Sequence, residues 1–219
     1  MKMNASVFEK VKSHKANLVA VTKYWDEKKT AEIINFGQTH FPDTFIGIGE
    51  NRTKAMVQKL SKLKDLGIPK CKCHFIGNIQ SRQIKYLRDV DCIHSLCDLD
   101  HARKINQLAQ DRGQDFDVFL QVKISKDPLK FGLEVSDLEM FLNELQILPF
   151  LSLQGISAMG ADTFTLQDKI KECQNLIKLR DQYFSRLSVS AGTSRDFEIA
   201  LGEGIDIVRI GHKLINDGA

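Results

Sequence analysis

The chain has 219 residues, enough to bury one sizeable core, and its 42% hydrophobic and 27% charged content is that of an ordinary globular protein, which excludes large-scale disorder. The 31 basic residues against 28 acidic ones leave a formal charge of only +3, so no strong field directs the protein to nucleic acid or an anionic membrane. The opening stretch MKMNASVFEKVKSHKANLVAVTK has no long apolar run, so neither a signal peptide nor a transmembrane helix is readable and the expected compartment is the cytoplasm.

In chain order, residues 1–15 read as a leading helix. Short apolar runs then recur at residues 18–22, 44–48, 73–76, 92–94, 116–124, 151–157, 186–190 and 207–210. Several are apolar on consecutive residues, as LVAV and FLQV are, which suits parallel strands covered on both faces. Between them lie amphipathic stretches such as 53–66 and 166–184, with apolar residues repeating at three and four positions. Eight such βα units predict a (β/α)8 TIM barrel over an open sheet, as one domain spanning 1–219 with no Pro-rich or Gly/Ser-rich linker. The five cysteines, Cys71, Cys73, Cys92, Cys97 and Cys173, are odd in number and lack paired metal-finger spacing, so they read as free packing thiols of a reducing compartment.

Working groups of such a barrel gather at the C-terminal ends of the strands. Lys23 directly follows LVAVT. A lysine in a partly desolvated mouth releases its proton more readily, and a neutral amine condenses with an aldehyde; the plain alternative is a solvent lysine ending a strand. Gly49-Glu50-Asn51 and His74-Phe-Ile-Gly-Asn-Ile-Gln80 end two further runs, with small residues that admit a ligand. His74 reads equally as a ligand contact or as a satisfied core imidazole. VSAGTSRD carries Ser190, Thr193 and Ser194 around a glycine turn, and IVRIG carries Arg209 and Gly211 at the end of the eighth run. Hydroxyls and free N–H groups after the seventh and eighth strands make the usual phosphate position of a barrel; taken singly, each residue is also a plain cap or a surface ion-pair partner. No metal-ligand spacing, GxSxG elbow, Walker loop or GxGxxG after a strand occurs, so hydrolase, NTPase and dinucleotide readings have no motif behind them.

Together LVAVTK, IGIGENR, CHFIGNIQS, IHSLCDL, QVKIS...KFGL, LQGISAMG, VSAGTSRD and IVRIG resemble the pyridoxal phosphate homeostasis protein family, in the same order and over nearly the whole chain from Leu18 to Gly211. Those proteins are similar to the N-terminal barrel of alanine racemase without its second, β-rich domain. The resemblance implies that Lys23 binds pyridoxal 5'-phosphate as a Schiff base and that Asn51 lies beside the cofactor. It further implies that Ser190, Thr193 or Ser194 and the backbone at Gly211 hold the phosphate, while Arg209 faces the pyridine nitrogen. An arginine there keeps that nitrogen unprotonated and makes the ring a weak electron sink. Three positions depart from the family pattern: Arg52 replaces a tyrosine, and Ser157 and Ala191 replace methionines. They touch the walls around the ring and are expected to alter affinity rather than abolish binding.

The expected function is therefore a non-catalytic carrier that limits free pyridoxal phosphate and passes it to apo-enzymes, as a monomer. A small amino-acid racemase or lyase is the alternative, with only His74 or Tyr24 offered as acid or base on the far face of the ring. A phosphate-binding barrel without a cofactor explains VSAGTSRD and leaves the other motifs unexplained.

Overall fold

A computed structural model describes residues 2–124, 131–160, 165–183 and 187–216. Each apolar run becomes a strand: β1 (Asn17–Val21), β2 (Phe45–Glu50), β3 (Cys73–Phe75), β4 (Cys92–Leu96), β5 (Phe116–Gln121), β6 (Leu151–Ser157), β7 (Ser188–Ser190) and β8 (Ile207–Ile210). Neighbours in sequence pair in parallel, and β8 returns to β1 with Val208 opposite Leu18 and Arg209 opposite Val19, which closes the barrel. Burial on both faces explains the consecutive apolar residues. Leu18 and Ala20 join the core under the helices, whereas Val19 meets Cys92, Phe119 and Ile207 inside the barrel.

Several strand ends shift. The run expected over 116–124 stops at Gln121 because beyond it the chain keeps only an isolated bridge, Val122 to Leu133. β2 runs on to Glu50, whose partner across the ladder is Phe75. The expected starting residue 186 and the helix end at 184 lie outside the described residues.

The helical layer comprises α1 (Ala5–Ser13), α2 (Glu27–His40), α3 (Thr53–Asp65), α4 (Leu99–Arg112), α5 (Leu138–Leu145), α6 (Leu166–Tyr183) and α7 (Phe197–Gly202), with a 3-10 helix, Ser81–Leu87, after β3. Two starts are set by capping aspartates: Asp26 accepts from the Lys29 N–H and Asp98 from the His101 N–H, both at 2.8 Å. The leading segment is helical only in part. Lys2–Met3 pairs antiparallel with Ile215–Asn216, and the Asn4 N–H donates to the Leu214 carbonyl at 2.9 Å, so the first turn yields to a pairing with a distant part of the chain. α1 then buries Val7, Phe8 and Val11, with Phe8 stacked on Phe41 at 4.9 Å between centroids.

All five cysteines are free thiols, as their spacing implied. Burial pushes Cys71 and Cys173 up to about 12, so both stay protonated at neutral pH. Among the described residues, no helix is long and apolar enough to cross a membrane.

Candidate functional site

Thr22 is fully buried at the end of β1, so Lys23 is where the chain leaves the barrel wall. The Lys23 ammonium lies 5.0 Å from the ring centroid of Tyr24, and among the described residues it has no hydrogen bond or ion pair. Tyr24 is 73% exposed and receives the Arg52 guanidinium at 5.8 Å on the same ring. Arg52, which departs from the family pattern, thus lies against an aromatic side chain supplied from the neighbouring strand end. An amine with no carboxylate beside it is open to an electrophile.

Beneath Lys23 three buried groups interlock. Thr22 Oγ1 donates to Glu50 Oε1 at 2.6 Å, and Lys59 Nζ, from α3, donates to the same oxygen at 2.5 Å and to the Thr22 carbonyl at 2.6 Å. The clamp fixes the peptide that precedes Lys23. Its outer side is incomplete: Glu50 Oε2 and Asn51 Oδ1 are buried with no hydrogen-bond partner. Two orphaned acceptors at one strand end are uncommon in a folded interior and suit a guest that brings donors. The backbone there is tightly placed, since a Cβ on Gly77 would stand 2.3 Å from the Asn51 carbonyl oxygen. Ser95 Oγ holds the Gly77 carbonyl in turn, at 2.6 Å.

At the ends of β7 and β8 the expected hydroxyls fall into three different settings. Ser194 Oγ accepts from the Gly211 N–H at 2.9 Å, which leaves its own proton free to donate to an anion. Thr193 is turned inward on the loop: its N–H and hydroxyl both donate to Asp196 Oδ1, at 2.7 and 2.8 Å. Ser190 is fully buried and bonded to Arg209 and His94. Gly192 has φ +85°, and a Cβ there would stand 2.7 Å from the Ala200 Cβ, so this turn requires glycine.

Arg209 crosses from the core towards the mouth. Its Nη1 donates to the Ser190 carbonyl and hydroxyl, both at 2.7 Å, and its Nη2 donates to the Ala158 carbonyl at 2.8 Å and meets Met159 Sδ at 3.3 Å. Burial lowers it to about 10, which leaves the guanidinium charged at neutral pH. His94 Nδ1 meets Ser190 Oγ at 2.9 Å, His94 Nε2 meets His74 Nδ1 at 2.9 Å, and His74 Nε2 meets the Ile46 carbonyl at 3.1 Å. Both ring nitrogens of His74 are therefore committed within the protein, which favours the core side of the two readings left open by the sequence. Desolvation pushes His74 down to about 4 and His94 further below its ordinary value. The ligand-type atoms of His74, Cys92 and His94 lie within 4.8 Å of one another. The facing imidazole nitrogens are bonded to each other and burial raises the Cys92 thiol, so the trio has the chemistry of a packed polar core.

The structure thus gathers Lys23, Asn51, Ser194, Arg209 and Gly211 at the C-terminal ends of β1, β2, β7 and β8. Sequence reasoning missed His94 and the Glu50–Lys59 pair. The signals were a histidine inside CIHSL and a glutamate closing IGIGE, polar residues within apolar runs. Ser157, another departure, donates to the His94 carbonyl, so it serves the core rather than the mouth.

Residues 2–217 match the family described as the alanine racemase N-terminal domain. A relative from Aquifex aeolicus named pyridoxal phosphate homeostasis protein is 32% identical over 175 residues, covering 77% of this chain and 75% of its own. One of the same name from Schizosaccharomyces pombe is 28% identical over 205 residues, covering 90% and 82%. Among solved structures, PipY of Synechococcus elongatus PCC7942 with PLP bound superposes with a TM-score of 0.81 at 26% identity, over 96% of this chain and 100% of that one.

Proposed function

The chain belongs to the alanine racemase N-terminal domain family and, within it, to the pyridoxal phosphate homeostasis proteins, and from that membership we propose that it is a reversible carrier of pyridoxal 5'-phosphate anchored on Lys23. The cofactor supplies an aldehyde that condenses reversibly with a primary amine. The observation that carries the reading is the Lys23 amine, without an ion-pair partner among the described residues, just past the end of β1, with the orphaned Asn51 Oδ1 just past the end of the paired strand β2. Asn51 accepts a hydrogen bond from the guest, Ser194 donates to its phosphate, and the Thr22–Glu50–Lys59 clamp holds the peptide from which Lys23 projects. Gly211 acts through Ser194, and Ser190 and His74 act through Arg209.

Arg209 is the reason to propose a carrier rather than an enzyme. A guanidinium that stays charged at neutral pH gives no proton to a pyridine nitrogen, and a neutral ring is a poor sink for a carbanion. Of the two residues offered as a second acid or base, His74 is committed in the core, which leaves Tyr24, 73% exposed. Tyr24 beside Lys23 is the one observation favouring the racemase or lyase reading. The carrier is a single domain, works in the cytoplasm as a monomer and hands its cargo to apo-enzymes.

The test is a titration of pyridoxal phosphate into the purified protein beside Lys23→Ala, followed by absorption. A near-visible band that forms in the wild type and fails to form in the variant supports the anchor. Identical spectra refute it. Incubating the loaded protein with L- and D-alanine or serine then separates the roles: turnover well above that of the free cofactor overturns the carrier.

A further inference from the structure

With both imidazoles neutral, as their burial favours, the hydrogen bonds between Arg209 and Ile46 admit one arrangement of protons. The Ile46 carbonyl can only accept, so the proton of His74 sits on Nε2. A neutral His74 then presents an acceptor at Nδ1, and the His94 Nε2 facing it at 2.9 Å must be the donor. A neutral His94 has an acceptor at Nδ1, so the Ser190 hydroxyl gives it the proton. Ser190 Oγ is left to accept, and Arg209 Nη1, at 2.7 Å, can only donate. Every polar hydrogen in the row points from the guanidinium towards the carbonyl. A second proton on His94 would turn the Ser190 hydroxyl away from Nδ1 and set a second buried cation beside Arg209.

The surroundings reinforce this order. Phe119 stacks on His94 with centroids 4.5 Å apart and 13° between planes, which fixes the rotation of that ring. The groups facing the two imidazoles are Ile46 of β2, Cys92 of β4, Phe119 of β5, Ser190 of β7 and Arg209 of β8; Lys72, Asp91 and Asp117 act on His74 from farther out. The one full charge in the row is that of Arg209, and it repels any further proton on His94.

We infer that His94 is a positioning residue: with Ser190 and His74 it forms a one-way hydrogen-bond chain that holds the Arg209 guanidinium at the floor of the cofactor site. The inference rests on the reading of Arg209 as the group beneath the cofactor ring, and it assigns the polar barrel interior a task beyond packing. The guanidinium edge that meets Met159 stays aimed at the mouth because its other edge is tied through Ser190 and two rings to the opposite wall. A displaced arginine would leave the ring nitrogen to water.

The first test uses the apo-protein and needs no cofactor. Long-range proton–nitrogen NMR of the imidazoles, from about pH 5.5 to about pH 8, is expected to show both rings as neutral Nε2–H tautomers throughout. The Arg209 guanidinium is expected to give separate, slowly rotating Nη signals. An Nδ1–H tautomer, or a titration of either ring within that window, overturns the chain. The second test compares pyridoxal phosphate affinity in wild type, His94→Phe, which keeps the stack on Phe119, and His94→Asn, which keeps an acceptor near the place of Nδ1. Loss of about tenfold or more in His94→Phe, largely recovered in His94→Asn, is expected from leaving a buried partner unpaired. Equal affinities in all three overturn the positioning role. A wild type that forms no Lys23-dependent band refutes the cofactor reading instead, and the apo-protein NMR then decides the chain by itself.

Discussion

Acidifying the protein from about pH 7.5 to about pH 5 is expected to remove about 2 kcal/mol of stability through His74, and His94, lowered by the same burial, adds to the loss in the same direction. In the folded chain both rings stay neutral across this window, because burial holds His74 down to about 4 and His94 well below its ordinary value. In the unfolded chain each has an ordinary pKa of about 6.5 and takes up a proton. The unfolded state therefore binds more protons, and stability falls as pH falls. At about 1.4 kcal/mol per pH unit per proton, His74 contributes about 2 kcal/mol between these limits, and His94 adds to it. The depressed carboxylates Glu27, Asp168 and Glu198 are exposed and titrate below this range. Urea unfolding followed by far-UV circular dichroism and by Trp25, the one tryptophan, reads the effect directly. With a slope of about 2 to 3 kcal/mol per molar, His74 alone is expected to lower the midpoint by about 0.7 to 1 M, and His94→Phe should lose part of the total dependence. A midpoint that holds constant from about pH 7 to about pH 5 would refute the neutral histidine pair.

Two further substitutions probe the other half of the site. Lys59→Met leaves the Glu50 carboxylate buried without its cation and should cost about 3 to 5 kcal/mol in urea unfolding, much of it recovered by adding Glu50→Gln; a loss under about 1 kcal/mol would show that the pair is not the clamp described. Gly77→Ala pushes a methyl against the Asn51 carbonyl, so pyridoxal phosphate affinity should fall by about tenfold or more while the far-UV spectrum stays native. Unchanged affinity would separate Asn51 from the cofactor.

The barrel was legible because its strands are buried on both faces and so stand out as apolar runs, β6 and β8 to the residue. That Lys23, Asn51 and Arg209 stand at or just past strand ends was legible from the ends of the apolar runs. What escaped depends on contacts between distant segments. Lys59 sits among KAMVQKLSKLK like any solvent-facing lysine, and only the packing of α3 over the ends of β1 and β2 buries it. His94 joins a chain whose other members come from β3, β7 and β8. The pairing of Lys2–Met3 with Ile215–Asn216 is two residues long on each side, too short to leave any periodicity.

β7 is three residues long and meets β8 at a single register pair, Ser190 opposite Ile207. Beyond the Ala191 N–H on the Ile207 carbonyl at 3.0 Å and the Val189 N–H on the Asp206 carboxylate at 2.7 Å, the seam is fastened by atoms that shape the mouth: the Arg209 N–H on the Gly192 carbonyl at 2.9 Å, the Arg209 guanidinium on the Ser190 carbonyl at 2.7 Å and the Gly211 N–H on Ser194 Oγ at 2.9 Å. A cylinder with one weak stave joint parts there first when it breathes. On the proposed reading, a guest held by Ser194 and Arg209 would span that joint as a clasp, and the opening of the wall and the departure of the cargo would become one motion.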